Sequence, residues 1–300
     1  MLYLEREGTL FVSQGCHFNC CFCPACKNQP ERFRDLGEFE TDLRYLMSVA
    51  KRHGLKELRF YTTSLDFFQN PNLVCRYLET LARAQEESGV AIRTRCLSSM
   101  ISFFQADKTI PNFGSLLSRA GLWCVAFGVD GSDKIVWQAQ NKRHNTSLIL
   151  VKCLDAGKRL GLTIEMLMVF GFPEDTSRTI WKTVWLSLTA ILKYNNVIVR
   201  PYLAKSAVPG NEGWKTKNET VEAILTNYHR FYNLDFCVIG SSLTDPNRRH
   251  RWESNAAYLL ICGLLTPLGK STTYPLLPQG ESGLYGKIAT VVNRLMPFDR

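Results

Sequence analysis

The chain of 300 residues is 45% hydrophobic and carries a formal net charge of +9, which suits a globular protein with a sizeable core. It becomes charged at once, at Glu5-Arg6-Glu7, so we expect neither a secretory nor a transit peptide. The longest uncharged apolar run, Ala256 to Leu268, is too short to span a membrane and contains a proline. Eleven cysteines without a signal peptide predict a reducing, cytoplasmic location rather than a disulfide framework.

Strand-like and helix-like segments alternate along the first two thirds of the chain. The pattern predicts strands over residues 8–14, 58–63, 90–95, 122–129, 162–170 and 197–202. It predicts helices over residues 38–53, 72–88, 113–120, 146–160 and 176–193. Six strand–helix repeats with short connections favour parallel strands joined by right-handed crossovers. The sequence therefore predicts an α/β fold, a partial (β/α)6 TIM-like barrel of parallel strands with a C-terminal extension.

The alternation stops after residue 203. The pattern then predicts helices over residues 219–232, 253–264 and 284–295 and a further strand over residues 236–239. We interpret residues 1–214 as the core barrel and residues 215–300 as an extension packed on it, not a separate domain. The basic cluster Arg248-Arg249-His250-Arg251 is interpreted as a solvated loop or helix start, with contact to an anion as the less favoured alternative.

Polar residues gather at the carboxyl ends of the predicted strands, where parallel barrels build their active sites from the βα loops. Thr62, Thr63 and Ser64 follow the second strand, and Arg95 ends the third. Asp130 ends the fourth strand. These side chains are therefore candidates for one shared site.

Cys16, Cys20 and Cys23 form a Cys-x3-Cys-x2-Cys motif directly after an apolar, strand-like run. Thiolates on a short loop can converge on one metal centre. Zinc needs four closed ligands, whereas three thiolates leave one iron of a [4Fe–4S] cluster open to bind a small molecule through its amine and carboxylate. A structural zinc site with Cys21 or Cys26 as fourth ligand, or buried unliganded thiols, are the alternatives.

With Phe22 before its last cysteine, the motif resembles the signature of the radical S-adenosylmethionine (radical SAM) superfamily. Further motifs follow in the family's order: Phe127-Gly128-Val129-Asp130-Gly131-Ser132, Lys142-Arg143-His144, Gly171-Phe172-Pro173-Glu174-Asp175-Thr176 and Val208-Pro209-Gly210-Asn211. They resemble the branch that includes methylthiotransferases, elongator-type acyltransferases and cobalamin-binding radical SAM enzymes. The resemblance covers residues 8–214.

The resemblance implies an enzyme with a [4Fe–4S] cluster and S-adenosylmethionine as cofactors. Cys16, Cys20 and Cys23 would ligate the cluster, while Cys21 and Cys26 would not. The reduced cluster would cleave S-adenosylmethionine to methionine and a 5′-deoxyadenosyl radical, which takes a hydrogen atom from a substrate. An external one-electron donor, such as a flavodoxin or ferredoxin, and sensitivity to oxygen follow from that chemistry.

The resemblance also suggests which residues contact S-adenosylmethionine. The Phe22 backbone would lie by the adenine, Thr62, Thr63 and Ser64 near the methionine amine, Asp130 near the ribose and Lys142 near the carboxylate. Arg95 and the backbone from Val169 to Gly171 would complete the pocket. Charge matching supports these roles, since a cation suits a carboxylate and aspartate suits hydroxyl donors. The family's Gly-Gly-Glu after strand two is replaced here by Thr62-Thr63-Ser64, and its glutamate after strand four by Asp130.

The substrate is left unidentified; a small molecule is favoured, and an anionic one is considered. We find neither an Asp-x-His-x2-Gly cobalamin signature nor a second set of closely spaced cysteines, so we expect no cobalamin and no auxiliary cluster. Epimerisation, rearrangement, cyclisation and bond formation stay open as outcomes. An epimerisation would need a thiol as hydrogen-atom donor, and Cys96, predicted just past strand three, is the candidate. Its favoured alternative is a buried hydrophobic residue.

Two other classes of function compete with the enzyme. A zinc-stabilised nucleic-acid-binding module would use the net charge of +9, and an iron–sulfur electron carrier would complete its cluster with Cys26. The charge is spread along the chain and the cysteines precede a barrel, so we favour the enzyme and expect neither a membrane nor a nucleic acid as partner.

Overall fold

The computed structural model of the protein describes residues 7–23, 29–204, 250–265 and 268–271. The elements predicted over residues 219–232, 236–239 and 284–295, the turn at residues 208–211 and the boundary at residue 214 lie outside the described residues, as do Cys26, Arg248 and Arg249. Within the described ranges, every helix is too short or too polar to cross a membrane.

The described chain contains eight strands and eight helices. The strands are β1 (Glu7–Phe11), β2 (Ser13–Cys16), β3 (Gln29–Phe33), β4 (Glu57–Thr63), β5 (Ala91–Ser98), β6 (Leu122–Gly128), β7 (Thr163–Phe170) and β8 (Val197–Leu203). The helices are α1 (Leu36–Arg52), α2 (Pro71–Ser88), α3 (Met100–Thr109), α4 (Phe113–Arg119), α5 (Lys134–Ala139), α6 (Ser147–Arg159), α7 (Ser177–Lys193) and α8 (Arg251–Leu265).

Six strands form one parallel sheet in the order β1-β4-β5-β6-β7-β8, and β2 pairs separately with β3 as an antiparallel hairpin. Consecutive parallel strands are joined through helices, as a crossover requires. The predicted α/β class with parallel strands is confirmed. The described sheet begins at β1 and ends at β8 without closing, as in a partial TIM-like barrel.

Helix α2 illustrates why these segments form helices. Asn70 caps its start by accepting from the Leu73 backbone N–H, and Pro71 occupies the first turn, where no backbone donor is needed. Gly89 ends it in the left-handed region, with φ of +70°. Between these residues, the buried side chains Val74, Tyr77, Leu78 and Leu81 follow helical spacing. Burial of each large side chain stabilises the fold by roughly 1.5–3 kcal/mol.

An aromatic cluster joins β6 to the helices that follow β4 and β5. The ring of Phe103 in α3 lies 5.1 Å from Phe127 of β6 and 5.4 Å from Phe68, and the Phe68 ring lies 5.6 Å from Phe113 of α4. These pairs meet edge to face, the arrangement that the aromatic quadrupole favours. The cluster fixes the loops that leave β4 and β5 at their carboxyl ends.

The described residues divide into two compact units. The first contains residues 7–19, 29–128 and 144–165. The second contains residues 20–23, 129–143, 166–204, 250–265 and 268–271.

Three local predictions are wrong. The strand predicted over residues 8–14 is divided, because β1 pairs with β4 whereas β2 pairs with β3. The third strand continues to Ser98 instead of ending at residue 95, since Cys96, Leu97 and Ser98 pair with β6. Helices α3 and α5 were not predicted, as both are short and lack a clear apolar period.

Candidate active site

The first cysteine of the motif is held by the β2–β3 hairpin. Cys16 ends β2 and pairs with Gln29 of β3. Gly15 precedes it with φ of +98°, and a Cβ at Gly15 would lie 2.7 Å from the Pro30 carbonyl oxygen. Both the backbone angle and this close approach require glycine. The hairpin therefore fixes the backbone at Cys16.

The next two cysteines lie in a tight turn, residues 20–23, which we call the cysteine turn. Its ends are joined by a hydrogen bond from the Cys23 backbone N–H to the Cys20 carbonyl oxygen, at 3.2 Å. Cys16, Cys20 and Cys23 are all half-buried, and none forms a disulfide. Across the described ranges, no three or more His, Cys, Asp or Glu side chains converge closely enough to hold a metal ion. The three-cysteine ligand set thus stays a prediction.

Within the second unit, the end of helix α5 contacts the cysteine turn. The Cys21 backbone N–H donates to the Gln140 carbonyl oxygen at 3.2 Å, and the Cys21 thiol lies 3.6 Å from the Ala139 carbonyl oxygen. These carbonyls end a helix and lack intrahelical partners. The buried Gln140 side chain then donates to Glu174 at 2.6 Å. The end of α5 thereby connects the cysteine turn to the loop after β7.

Phe22 anchors the cysteine turn in an apolar cluster. Its ring centroid lies 5.3 Å from that of Phe172. Val136, Val169 and Ala204 complete the cluster. The Lys142 ammonium lies 5.5 Å from the Phe22 ring centroid, within the range of a cation–π contact. The turn is therefore packed on one side and faces a cation on another.

Lys142 and Asp130 form a buried ion pair, with 8% and 6% of their surfaces exposed. Asp130 directly follows β6 with φ of +59°, a conformation that the short aspartate side chain tolerates. Its backbone N–H donates to the Leu167 carbonyl oxygen at 2.9 Å. The Lys142 backbone N–H donates to the Trp137 carbonyl oxygen at 2.7 Å. Local backbone structure thus holds both members of the pair.

The ion pair keeps Lys142 charged. Burial lowers the pKa of Lys142, but the Asp130 carboxylate and the thiolates of the cysteine turn outweigh burial, so the pKa lies above its ordinary value. A charged Lys142, paired with Asp130, consequently lies beside two predicted cluster ligands.

Asp175 builds the turn that follows β7. One of its carboxylate oxygens accepts from the backbone N–H groups of Gly171, at 2.9 Å, and Phe172, at 3.0 Å. The other accepts from the Thr179 hydroxyl at 2.7 Å. Gly171 has φ of +86°, which favours glycine. The carboxylate therefore fixes the backbone that was predicted to line the adenosine pocket.

We expect Asp175→Ala to destabilise the second unit by about 1–3 kcal/mol, since two buried backbone donors would lose their acceptor. Urea unfolding measures this loss as a shift of the midpoint. Glu174→Ala is the matched control, because the adjacent carboxylate is more exposed and accepts a side-chain hydrogen bond from Gln140 instead of two backbone bonds. Equal losses in the two variants would contradict this role for Asp175.

The predicted site residues are divided between the two units. The second unit brings together Cys20, Phe22, Cys23, Asp130, Lys142, Val169 and Gly171. The first unit holds Cys16, Thr62, Thr63, Ser64, Arg95 and Cys96.

Of the three hydroxyls after the second predicted strand, those of Thr62 and Ser64 form hydrogen bonds with neighbouring strands. Thr62 donates to the Arg95 carbonyl oxygen at 3.0 Å, and Ser64 lies 2.8 Å from the Ser13 hydroxyl. The Thr63 hydroxyl is buried and has no hydrogen-bond partner among the described residues. A buried hydroxyl without a partner is costly, which is consistent with a ligand completing its environment.

Arg95 and Cys96 differ from their predicted settings, because both lie inside β5. The Arg95 guanidinium donates to both carboxylate oxygens of Glu7, at 2.5 and 2.6 Å, and lies 3.5 Å from Glu165. These contacts, with Glu7 foremost, raise the pKa of Arg95. Cys96 points to the opposite, buried face of β5 and is 1% exposed, and burial raises the pKa of its thiol. This is the environment of a core residue and not of a hydrogen-atom donor facing a cavity.

Sequence reasoning missed several residues that organise the site. Gln140 carries no sequence signal, because its role depends on where α5 ends. Asp175 could have been found from its place in the Gly-Phe-Pro motif, four residues after the glycine that it supports. Glu31, whose carboxyl lies 2.6 Å from the Ser13 hydroxyl of the cysteine-bearing hairpin, was missed because the strand that carries it was not predicted.

No family model matches the chain. It is 20% identical over 229 residues to an uncharacterized methyltransferase of Pyrococcus horikoshii, an alignment that covers 76% of this chain and 46% of that relative. Among solved structures, it resembles the radical S-adenosylmethionine methyltransferase TsrM from Kitasatospora setae with cobalamin and a [4Fe–4S] cluster bound. That match has a TM-score of 0.54 and 17% identity and covers 67% of this chain and 38% of the other. The same enzyme with tryptophan and a SAM analog bound gives a TM-score of 0.53 at 16% identity, covering 66% and 36%. The chain thus spans less than half the length of these proteins.

Proposed function

The chain has the fold of the radical S-adenosylmethionine enzymes, and on that premise we propose that it is a radical SAM enzyme that takes a hydrogen atom from a small-molecule substrate. A [4Fe–4S] cluster bound by Cys16, Cys20 and Cys23 would supply the reductive cleavage of S-adenosylmethionine to a 5′-deoxyadenosyl radical. The observation that carries the proposal is the charged, buried Lys142 beside the cysteine turn.

Lys142 and Asp130 provide complementary charges for the two polar ends of S-adenosylmethionine. The Lys142 ammonium would bind the methionine carboxylate, and the Asp130 carboxylate would accept hydrogen bonds from the ribose hydroxyls. The two side chains are already paired and buried, so the ligand would add its carboxylate to an ion pair held in place by the backbone. Such preorganisation lowers the entropy cost of binding.

Thr63 and Phe22 would complete the contacts with S-adenosylmethionine. The unsatisfied hydroxyl of Thr63 would accept from the methionine ammonium. Phe22 presents backbone groups and an apolar ring packed on Phe172, which suits the edge and face of an adenine. Each of these groups has the chemistry that one part of the cofactor requires: three thiols outside any disulfide for the cluster, a cation for the carboxylate and an acceptor for the amine.

The polar environment also suits thiolates as metal ligands. The Lys142 ammonium lies close enough to Cys20 and Cys23 to interact with their charges when a metal is bound.

Methyl transfer is a second candidate reaction for a radical SAM enzyme, favoured by the match to an uncharacterized methyltransferase and to TsrM. Transfer to a nucleophilic atom would move the S-methyl group to the substrate, which releases a proton, and would leave S-adenosylhomocysteine without 5′-deoxyadenosine. Hydrogen abstraction forms 5′-deoxyadenosine and methionine instead. The two outcomes are therefore separated by their nucleoside products.

The test is anaerobic reconstitution with iron and sulfide, followed by S-adenosylmethionine and dithionite in place of the proposed flavodoxin or ferredoxin donor. We expect 5′-deoxyadenosine, detected by mass spectrometry, in amounts that depend on both iron and dithionite. The protein without added iron is the matched control. Stoichiometric zinc with no nucleoside product would contradict the proposal, as would a cluster that never yields 5′-deoxyadenosine.

A further inference from the structure

A buried polar network connects the cysteine-bearing hairpin to the carboxyl end of β4, all within the first unit. The Ser13 hydroxyl of β2 lies 2.6 Å from Glu31 Oε1 of β3 and 2.8 Å from the Ser64 hydroxyl that follows β4. Ser64 lies 3.4 Å from the same Glu31 oxygen. Backbone bonds run in parallel, since the Val12 N–H donates to the Thr63 carbonyl oxygen at 3.1 Å. Glu31 thus lies where the hairpin meets β4.

The network continues to Asp66, whose carboxylate is fully occupied. One oxygen of Asp66 accepts from the Ser98 hydroxyl at 2.7 Å and the Ser99 backbone N–H at 2.9 Å. The other accepts from the Ser102 hydroxyl at 2.7 Å. Glu31 differs, because its Oε2 is buried without a hydrogen-bond partner among the described residues.

The contacts of Glu31 indicate a neutral acid. The two short contacts, from Ser13 to Glu31 Oε1 and from Ser13 to Ser64, use the two serine hydroxyl protons, so neither serine donates to Glu31 Oε2. An ionised carboxylate with one buried, unsatisfied oxygen would be costly.

The surroundings of Glu31 also oppose a negative charge. The charged or titratable groups facing it are Asp66, on the segment after β4, and Tyr77, on α2. No cation faces the carboxyl among its described neighbours on these elements. Burial, followed by the Asp66 carboxylate, raises the pKa of Glu31 to about 7, against the opposing hydrogen bond from Ser13.

We propose that Glu31, as a neutral acid, is a positioning residue that fastens the hairpin carrying Cys16 to the end of β4 beside Thr63. Ionisation places a negative charge on a carboxyl that has one buried, unpartnered oxygen and lies near Asp66, which loosens the hairpin. The inference about Cys16 rests on the proposed function, whereas the protonation of Glu31 does not.

The first test compares the pH dependence of unfolding in the wild type and in Glu31→Gln. Because the pKa of Glu31 in the folded protein is raised above its ordinary value of 4.5, the folded protein binds more protons than the unfolded chain between that pH and about 7. Stability therefore falls as pH rises through this range and levels off above it. We expect the wild type to lose on the order of tenfold in its folding equilibrium relative to Glu31→Gln, allowing for solvent screening of a partly exposed group. Glu86→Gln, in an exposed ion pair with Arg119, is the control and should follow the wild type.

The second test measures how fast EDTA removes iron from the reconstituted protein at pH 6.5 and pH 8.5. We expect extraction to accelerate about threefold or more with pH in the wild type relative to Glu31→Gln. If the stabilities of the wild type and of Glu31→Gln changed with pH in the same way, the proposal that Glu31 is protonated in the folded protein would be wrong. Equal acceleration of iron loss in both proteins would overturn its positioning role. A wild type that binds no iron at either pH would instead overturn the proposed function, and with it the role assigned to Cys16.

Discussion

Replacing Cys16, Cys20 and Cys23 together by alanine is expected to abolish the brown colour of the reconstituted protein, with its absorption near roughly 400 nm from iron–sulfur charge transfer. Each cysteine would supply one iron with its thiolate ligand, and no cluster can be retained once all three are lost. Absorption spectra and iron content per chain measure the effect directly. The amount of 5′-deoxyadenosine should fall to that of the protein without iron.

Cys21→Ala is the matched control for this prediction. Its thiol belongs to the same turn but lies 3.6 Å from the Ala139 carbonyl oxygen, at the end of α5. We expect Cys21→Ala, and likewise Cys26→Ala, to keep iron and colour. Bleaching by either single substitution to the extent of the triple variant would show that the ligand assignment is wrong.

Lys142→Met is expected to destabilise the protein by about 3–5 kcal/mol, because it leaves the buried Asp130 carboxylate without its partner. Asp130→Asn leaves the Lys142 ammonium unpaired and should destabilise the protein by a similar amount. Since the pKa of Lys142 is raised, the stabilisation is present at neutral pH and is lost only as pH rises above the ordinary lysine range. Chemical denaturation of the single variants measures both losses.

The double variant Asp130→Asn/Lys142→Met separates stability from cofactor binding. Without either charge, most of the lost stability should return, because no uncompensated ion remains buried. Affinity for S-adenosylmethionine should stay weakened by on the order of tenfold or more, since the charge for the methionine carboxylate is gone. Unchanged affinity in the double variant would make the pair purely structural.

The parallel α/β fold could be predicted because each strand and helix carries its own local pattern. The alternation of buried and exposed residues in β4, and the Asn70-Pro71 start and Gly89 end of α2, are visible in the sequence. The site residues Asp130, Lys142 and Gly171 were placed through motif resemblance, and the structure brings them together with Phe22 in one unit.

The missed features depend on contacts between residues distant in the chain. Strand β5 extends past Arg95 because its last residues pair with β6, so Cys96 lies in the core rather than at the strand end. The β2–β3 hairpin pairs Cys16 with Gln29 across the motif itself, which periodicity over a few residues cannot detect. The neutral Glu31 likewise follows from Ser13 and Ser64, which lie far from it in sequence.

In the proposed enzyme, three cysteines hold a cluster with an open iron that S-adenosylmethionine chelates. Electron paramagnetic resonance of the dithionite-reduced protein, with and without S-adenosylmethionine, tests this arrangement, with Asp130→Asn/Lys142→Met as the comparison. We expect a [4Fe–4S] signal whose g values change when S-adenosylmethionine is added to the wild type, and a weakened response in Asp130→Asn/Lys142→Met. A signal that S-adenosylmethionine leaves unchanged, or the absence of any cluster signal in the wild type, would contradict it.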